Sequence, residues 1–221
     1  MQSVHPLVEK KRAQVEQGLA EMGAKVIESL RRSIDCLRGQ DMELAGTIIA
    51  GDDPIDRHRR ILEQECLLVL AAHKPAGRDL RVVGATMELT TELERIADYA
   101  VDAARNVIEM GKASFPPQAL ALVVQVAESA TAMVAEALAA YGHEVDPGRA
   151  GAAAAGNTAV LGQAREAVEG IIAAMQADPG AARACVLLLW AVRDYQRAAS
   201  RATNIAERVI YIATGETLDL G

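Results

Sequence analysis

Aromatic side chains make up only 3% of this 221-residue chain, with a single Phe and a single Trp. That scarcity removes the usual filling of a β-sandwich or barrel. Cysteine is equally sparse. Cys36, Cys66 and Cys185 lie far apart with no Cys-x-x-Cys spacing, which excludes a disulfide framework and fits a reducing compartment. Positive charge is in deficit, 23 Lys+Arg against 30 Asp+Glu, a formal net charge of −7. Neither nucleic acid nor an anionic membrane attracts such a surface. Long apolar runs are also missing. The most apolar stretch, Val186 to Val192, lies between Arg183 and Arg193, far short of the roughly 20 residues of a membrane span. The opening MQSVHPLVEKKRAQ has neither the apolar core nor the cleavage site of a signal peptide. These absences lead us to expect a cytoplasmic protein with no nucleic-acid partner and no membrane insertion.

What the chain does contain is helix-forming material. Hydrophobic residues make up 51% of it, mostly Ala, Leu, Val and Ile, and Ala and Leu are strong helix formers. Leu19, Met22, Val26, Leu30, Ile34 and Leu37 step by three or four, the mark of an amphipathic helix. Gly39, Lys74-Pro75, Gly111, Gly142, Asp146-Pro147-Gly148, Asp178-Pro179-Gly180 and Gly215 punctuate the sequence. They predict helices over 7–38, 41–73, 76–110, 118–141, 149–177 and 181–214. Asp41 is placed to cap the second helix, and Pro54 should kink or break it. Long helices with short connections give an antiparallel all-α bundle.

The two halves read as copies. Leu93 to Ile108 aligns without gaps with Tyr195 to Ile210, matching Arg95 with Arg197, Ala97 with Ala199 and Val107-Ile108 with Val209-Ile210. Gly51-Asp52-Asp53-Pro54-Ile55-Asp56 sits opposite Gly156-Asn157-Thr158-Ala159-Val160-Leu161. A period near one hundred residues marks a duplicated domain. The expected organisation is two tandem three-helix bundles, residues 1–113 and 116–216.

Two helical turns of the first half carry acids four residues apart, Asp52 with Asp56 and Glu94 with Asp98. Such pairs share a helix face, and helices packed side by side can bring both pairs to one patch. Converging carboxylates repel, which raises their pKa values or strains the fold. A multivalent cation removes that cost, and an oxygen-only donor set favours hard ions such as magnesium, manganese or oxidised iron. Asp53 and Asp102 are further possible ligands. The competing reading is a solvated acidic face, with Asp52-Asp53 acting as a cap before Pro54.

The stretch HKPAGRDLRVVGATMELTTELERIADYA (His73 to Ala100) and the end RATNIAERVIYIATGE (Arg201 to Glu216) resemble the two repeats of the PhoU family. The resemblance covers nearly the whole chain, from about Pro6 to Glu216. It implies a pair of three-helix bundles related by duplication, and a regulator of phosphate transport. It implies partners as well: the ATPase subunit of a phosphate ABC transporter, a phosphate-sensing histidine kinase, and a second copy in a homodimer. In that family, acid-x-x-x-Asp motifs hold surface clusters of metal ions, often iron or zinc, and the matching residues here are Asp52, Asp56, Glu94 and Asp98. The second repeat departs at every one of these positions. Asn157 and Leu161 replace one pair, Gln196 and Ser200 the other. Neutral oxygens do not balance a divalent cluster, so a metal is expected in the first repeat only.

Other residues carry weaker signals. No Glu-x-x-His pair, His-Glu-x-x-His or Walker-type loop is present. His5, His58, His73 and His143 are expected at helix ends or on the surface, with His58 off the Asp56 face. Lys10-Lys11-Arg12 and Arg57-His58-Arg59-Arg60 read as solvated basic faces that could meet an acidic partner. Arg78 or Arg81 is expected to pair with acids of the second helix, and Trp190 to anchor the sixth helix in its bundle. Met110, Met133 and Met175 should fill the core. The chain is read as a regulator without enzyme activity of its own. A metal-dependent phosphohydrolase and a metal-free helical adaptor are the alternatives.

Overall fold

The computed structural model describes residues 5–141 and 145–220. His143 and the side chain of His5 lie outside what is described, as does Gly142. The chain forms α1 (His5–Gly39), α2 (Met42–Ala50), α3 (Asp52–His73), α4 (Gly77–Met110), α5 (Pro117–Ala140), α6 (Pro147–Ala155), α7 (Asn157–Ala177) and α8 (Ala182–Thr214). No strand occurs among the described residues. The architecture is all-α, two three-helix bundles related by duplication. In the first, α1 and α4 pack with the broken pair α2 and α3. In the second, α5 and α8 pack with α6 and α7.

Local chemistry explains the boundaries. Asp41 caps α2, its Oδ1 accepting from the N–H groups of Glu43 at 3.0 Å and Leu44 at 2.9 Å. The expected Pro54 break falls at Gly51, one turn earlier. Pro54 has no N–H to offer the Ala50 carbonyl, so the ladder fails there, and Pro54 instead sits in the first turn of α3, where no donor is needed. The fifth predicted helix is broken too, at Gly156, with no proline to cause it. A Cβ at Gly156 would come within 3.2 Å of the Met133 side chain and 3.1 Å of the Ala153 carbonyl. Glycine permits that close approach. The two breaks fall on positions aligned between the repeats.

One hydrophobic core runs through both bundles, from Leu19, Leu30 and Leu89 to Ile171, Leu188 and Ile205. Buried hydroxyls tie the repeats together. Ser33 Oγ lies 2.8 Å from the Tyr195 hydroxyl, and Thr86 Oγ1 lies 3.1 Å from the Tyr141 hydroxyl. Buried polar groups of this kind need such partners. Met110 and Met133 are in the core as expected, and Met175 packs against it. The sequence reading found no stretch long enough to span a membrane, yet among the described residues α5 is long and apolar enough to do so by length and composition. In the fold, α5 packs against α1, α7 and α8.

The repeats meet along α4 and α8, which run antiparallel. Glu92 Oε2 accepts from Arg201 Nη1 at 3.2 Å and from Asn204 Nδ2 at 3.2 Å. Arg208 lies 3.3 Å from Glu88, and the Arg197 guanidinium sits 4.9 Å over the Tyr99 ring. Arg81 donates from Nε to the Ile212 carbonyl at 3.1 Å. This corrects the expected pairing of Arg78 or Arg81 with the second helix: Arg81 reaches across to α8, while Asp79 meets Arg12 of α1 at 3.2 Å. Arg81 stands on the side of α4 that is turned to α8.

Candidate metal face between α3 and α4

Asp52 is the first residue of α3 and Asp56 follows one turn on. Glu94, Asp98 and Asp102 occupy successive turns of α4, which packs beside α3. Asp52, Asp56, Glu94, Asp98 and Asp102 are all half-buried, whereas Asp53 is exposed. Burial pushes the Asp98 carboxyl up to about 6, and the charges of Glu94, Asp52, Asp56 and Asp102 add to the shift. Asp52 is raised as well, by burial first and then by Asp56, while Arg105 pulls it down and Asp53 and Asp102 raise it further. The mutual repulsion requires the two acid pairs to share one field. Asp102 is partly answered by Arg105, 2.8 Å away on the exposed surface.

Does this donor set fit a metal ion? Oδ1 of Asp52 is buried and has no hydrogen-bond partner, and a buried carboxylate oxygen without a partner is costly. The surrounding donors are all carboxylate oxygens, which suit a hard multivalent cation. As the side chains stand, no three His, Cys, Asp or Glu groups among the described residues converge into a ready-made centre. The face therefore offers charge and oxygens of the right kind without a preformed centre.

The second repeat differs as its sequence suggests. Asn157 opens α7 half-buried, with its Oδ1 also lacking a partner. Leu161 and Gln196 are half-buried, and the exposed Ser200 donates back to the Gln196 carbonyl at 3.3 Å. These positions carry no charge.

One acidic residue escaped the sequence reading. Asp194 on α8 is pushed up to about 7, by burial first and then by Asp102, with Arg197 and Arg193 pulling the other way. Duplication explains it. In the gapless alignment Asp194 matches Glu92, whose partners are Arg201 and Asn204. The residues matching those partners are Tyr99 and Asp102. The first repeat's carboxylate thus meets a cation and an amide, whereas its copy feels the charge of another carboxylate, Asp102. Extending the alignment one residue before Tyr195 would have exposed this asymmetry.

His58 faces α1 rather than α4, as expected: its Nδ1 lies 3.2 Å from Lys25 Nζ. Burial and the Lys25 charge lower its pKa. Arg59 is held by Glu63 at 2.7 Å. Trp190 overturns its expectation. It is 49% exposed on the outer side of α8 and anchors nothing in the core. Its neighbours in sequence, Leu187, Leu188 and Ala191, fill that role, because the inward arc of α8 was already complete without it.

A family model described as the PhoU domain matches residues 19–107. A phosphate-specific transport system accessory protein PhoU homologue of Synechocystis is 34% identical over 203 residues, covering 91% of this chain and 89% of that protein. The homologue of Pseudomonas aeruginosa is 30% identical, over 91% of this chain and 83% of its own length. The crystal structure of PhoU from Pseudomonas aeruginosa superposes with a TM-score of 0.89 at 29% identity, covering 94% of this chain and 99% of that one.

Proposed function

The chain belongs to the PhoU family, and from that membership we propose that it is an accessory regulator of phosphate uptake that works by binding its partners. The reading is carried by full-length likeness to phosphate-specific transport accessory proteins in sequence and fold. The partners proposed are a phosphate transporter's ATPase subunit and a phosphate-sensing histidine kinase, with self-association into a homodimer. Regulation then requires tighter binding to one conformational state of a partner than to another.

Within that role the carboxylates of α3 and α4 are a metal face. Asp52, Asp56, Glu94 and Asp98 would hold the ion, and Asp102 borders it. Bound iron, zinc, magnesium or manganese supplies positive charge that offsets the repulsion recorded in the raised Asp52 and Asp98 carboxyls. The chain's own contribution is to keep α3 and α4 side by side with their acids turned to one surface.

A phosphohydrolase is less well supported. Four cavities, from about 210 to 610 Å³, lie along α1, and none is walled by the quartet. Hydrolysis requires a site that holds substrate and limits water around positioned acid and base groups. The functional test is deletion of the gene followed by complementation. Wild-type protein restores phosphate-dependent repression of uptake, and purified metal-loaded protein leaves phosphomonoesters intact. Unaltered uptake in the deletion strain contradicts the regulatory reading.

A further inference from the structure

We propose that the outer stripe of α8 formed by Arg183, Val186, Trp190, Arg193 and Arg197 is a docking surface for an acidic protein segment, with Trp190 as the apolar anchor. The inference rests on the regulatory reading above, since an accessory protein acts through what it touches.

The stripe is built by sequence spacing. Steps of three and four residues put all five side chains on one helix face, along about 21 Å of α8. All five are exposed. Trp190 is the chain's single tryptophan and the largest side chain available to it, yet half its surface is in water. Val186, 38% exposed one turn away, extends the apolar surface beside it. Trp and Arg are the residue types that most often dominate interface energetics.

Charge selects the partner. In a chain of net −7, the stripe carries three guanidiniums and no carboxylate. Their existing contacts leave donors free. Arg183 reaches Glu109 at 3.3 Å in a largely exposed pair, which is weak and easily exchanged. Arg197 stands over the Tyr99 ring, and both Arg193 and Arg197 act on Asp194 as nearby charges. Guanidinium forks match carboxylates in geometry.

Comparison of the repeats points the same way. In the extended alignment Trp190 matches Glu88, Val186 matches Gly84 and Arg193 matches Thr91. Glu88 is engaged by Arg208 across the seam. The residue matching Arg208 is Asn106, so Trp190 has no such partner and faces outward. The first repeat closes this position with an ion pair, and the second leaves it open.

The test places a photo-crosslinking amino acid at position 190 of the full chain in phosphate-replete cells, with Leu68, an exposed residue of α3, as the control position. Adducts are mapped to the peptide by mass spectrometry. The expected result is an adduct at 190, above the level at 68, to a segment rich in Asp and Glu. Arg193→Glu/Arg197→Glu reduces it by about tenfold or more, and Lys substitutions in the captured segment restore it. Thermal melting confirms that the charge-reversed chain is folded. An adduct with lipid, with a second copy, or at no more than the control level overturns the docking surface, as does yield unchanged by charge reversal. If 68 captures the transporter ATPase and 190 does not, the regulatory reading stands and the surface falls. If 190 captures an acidic segment of a protein unrelated to phosphate transport, the surface stands and the proposed partners fall.

Discussion

Asp98 shows most directly how one side chain records its surroundings. Its carboxyl is raised from 3.8 to about 6 because it is partly buried among other acids. In the folded, metal-free protein it therefore holds a proton that the unfolded chain releases between about pH 4 and 6. Stability contributed by that proton is present at low pH and is lost as pH rises through the folded value. Asp98→Asn removes the ionisation altogether. We expect its Tm in a chelating buffer to gain steadily on wild type between pH 4 and 7. A constant difference across that range would show that the acids do not share a field. Asp194→Asn should behave the same way, with its window extending to about pH 7. The buried hydroxyl pair is a simpler case. Tyr195→Phe leaves Ser33 Oγ with only its own helix carbonyl at 2.7 Å, and should cost about 1 kcal/mol in chemical denaturation.

Single residues also show what could be read from sequence. The acid pairs were legible, because i, i+4 spacing fixes a shared helix face regardless of tertiary detail. The Asp41 cap was legible for the same reason. Trp190 was not. Aromatic size argues for burial, but burial depends on whether the inward arc of α8 has room, and Leu187, Leu188 and Ala191 already occupy it. Asp194 was missed because its environment comes from α4, a helix nearly one hundred residues away in sequence.

At the level of elements, four of the six predicted helices formed unbroken and two formed as broken pairs, with their outer ends read closely from Gly, Pro and Asp. The break at Pro54 was anticipated because a missing N–H is a local fact. The break at Gly156 was not anticipated in the fifth helix, since it depends on the approach of Met133. The α4–α8 seam supplies a graded prediction. Glu92 is little exposed and holds both Arg201 and Asn204, whereas Glu88 is largely exposed with Arg208 alone. Glu92→Ala should cost about 1–3 kcal/mol, because it strands two partners, and Glu88→Ala less than about 1 kcal/mol. Urea denaturation of the two variants checks the order. Equal losses would mean that the seam is not held at Glu92.

On the scale of the whole molecule, the duplication is visible twice, in sequence and in the paired breaks at Gly51 and Gly156. The core nevertheless ignores the boundary between repeats. The shared core couples the two bundles, so they are expected to unfold together. Calorimetry of the metal-free protein should show a single transition with equal calorimetric and van't Hoff enthalpies, and two resolved transitions would mean that each bundle stands alone. Metal binding to the first repeat should raise the midpoint of that single transition as a whole.

Metal content tests the carboxylate face most directly. Wild type, Asp52→Asn/Asp98→Asn and the second-repeat control Asn157→Ala/Ser200→Ala would be incubated in turn with iron, zinc, manganese and magnesium, desalted, and measured by elemental analysis. The expected result is at least one metal retained equally by wild type and the control, and lost from Asp52→Asn/Asp98→Asn. Equal metal in all three proteins, or loss only from the control, would contradict an ion held between α3 and α4.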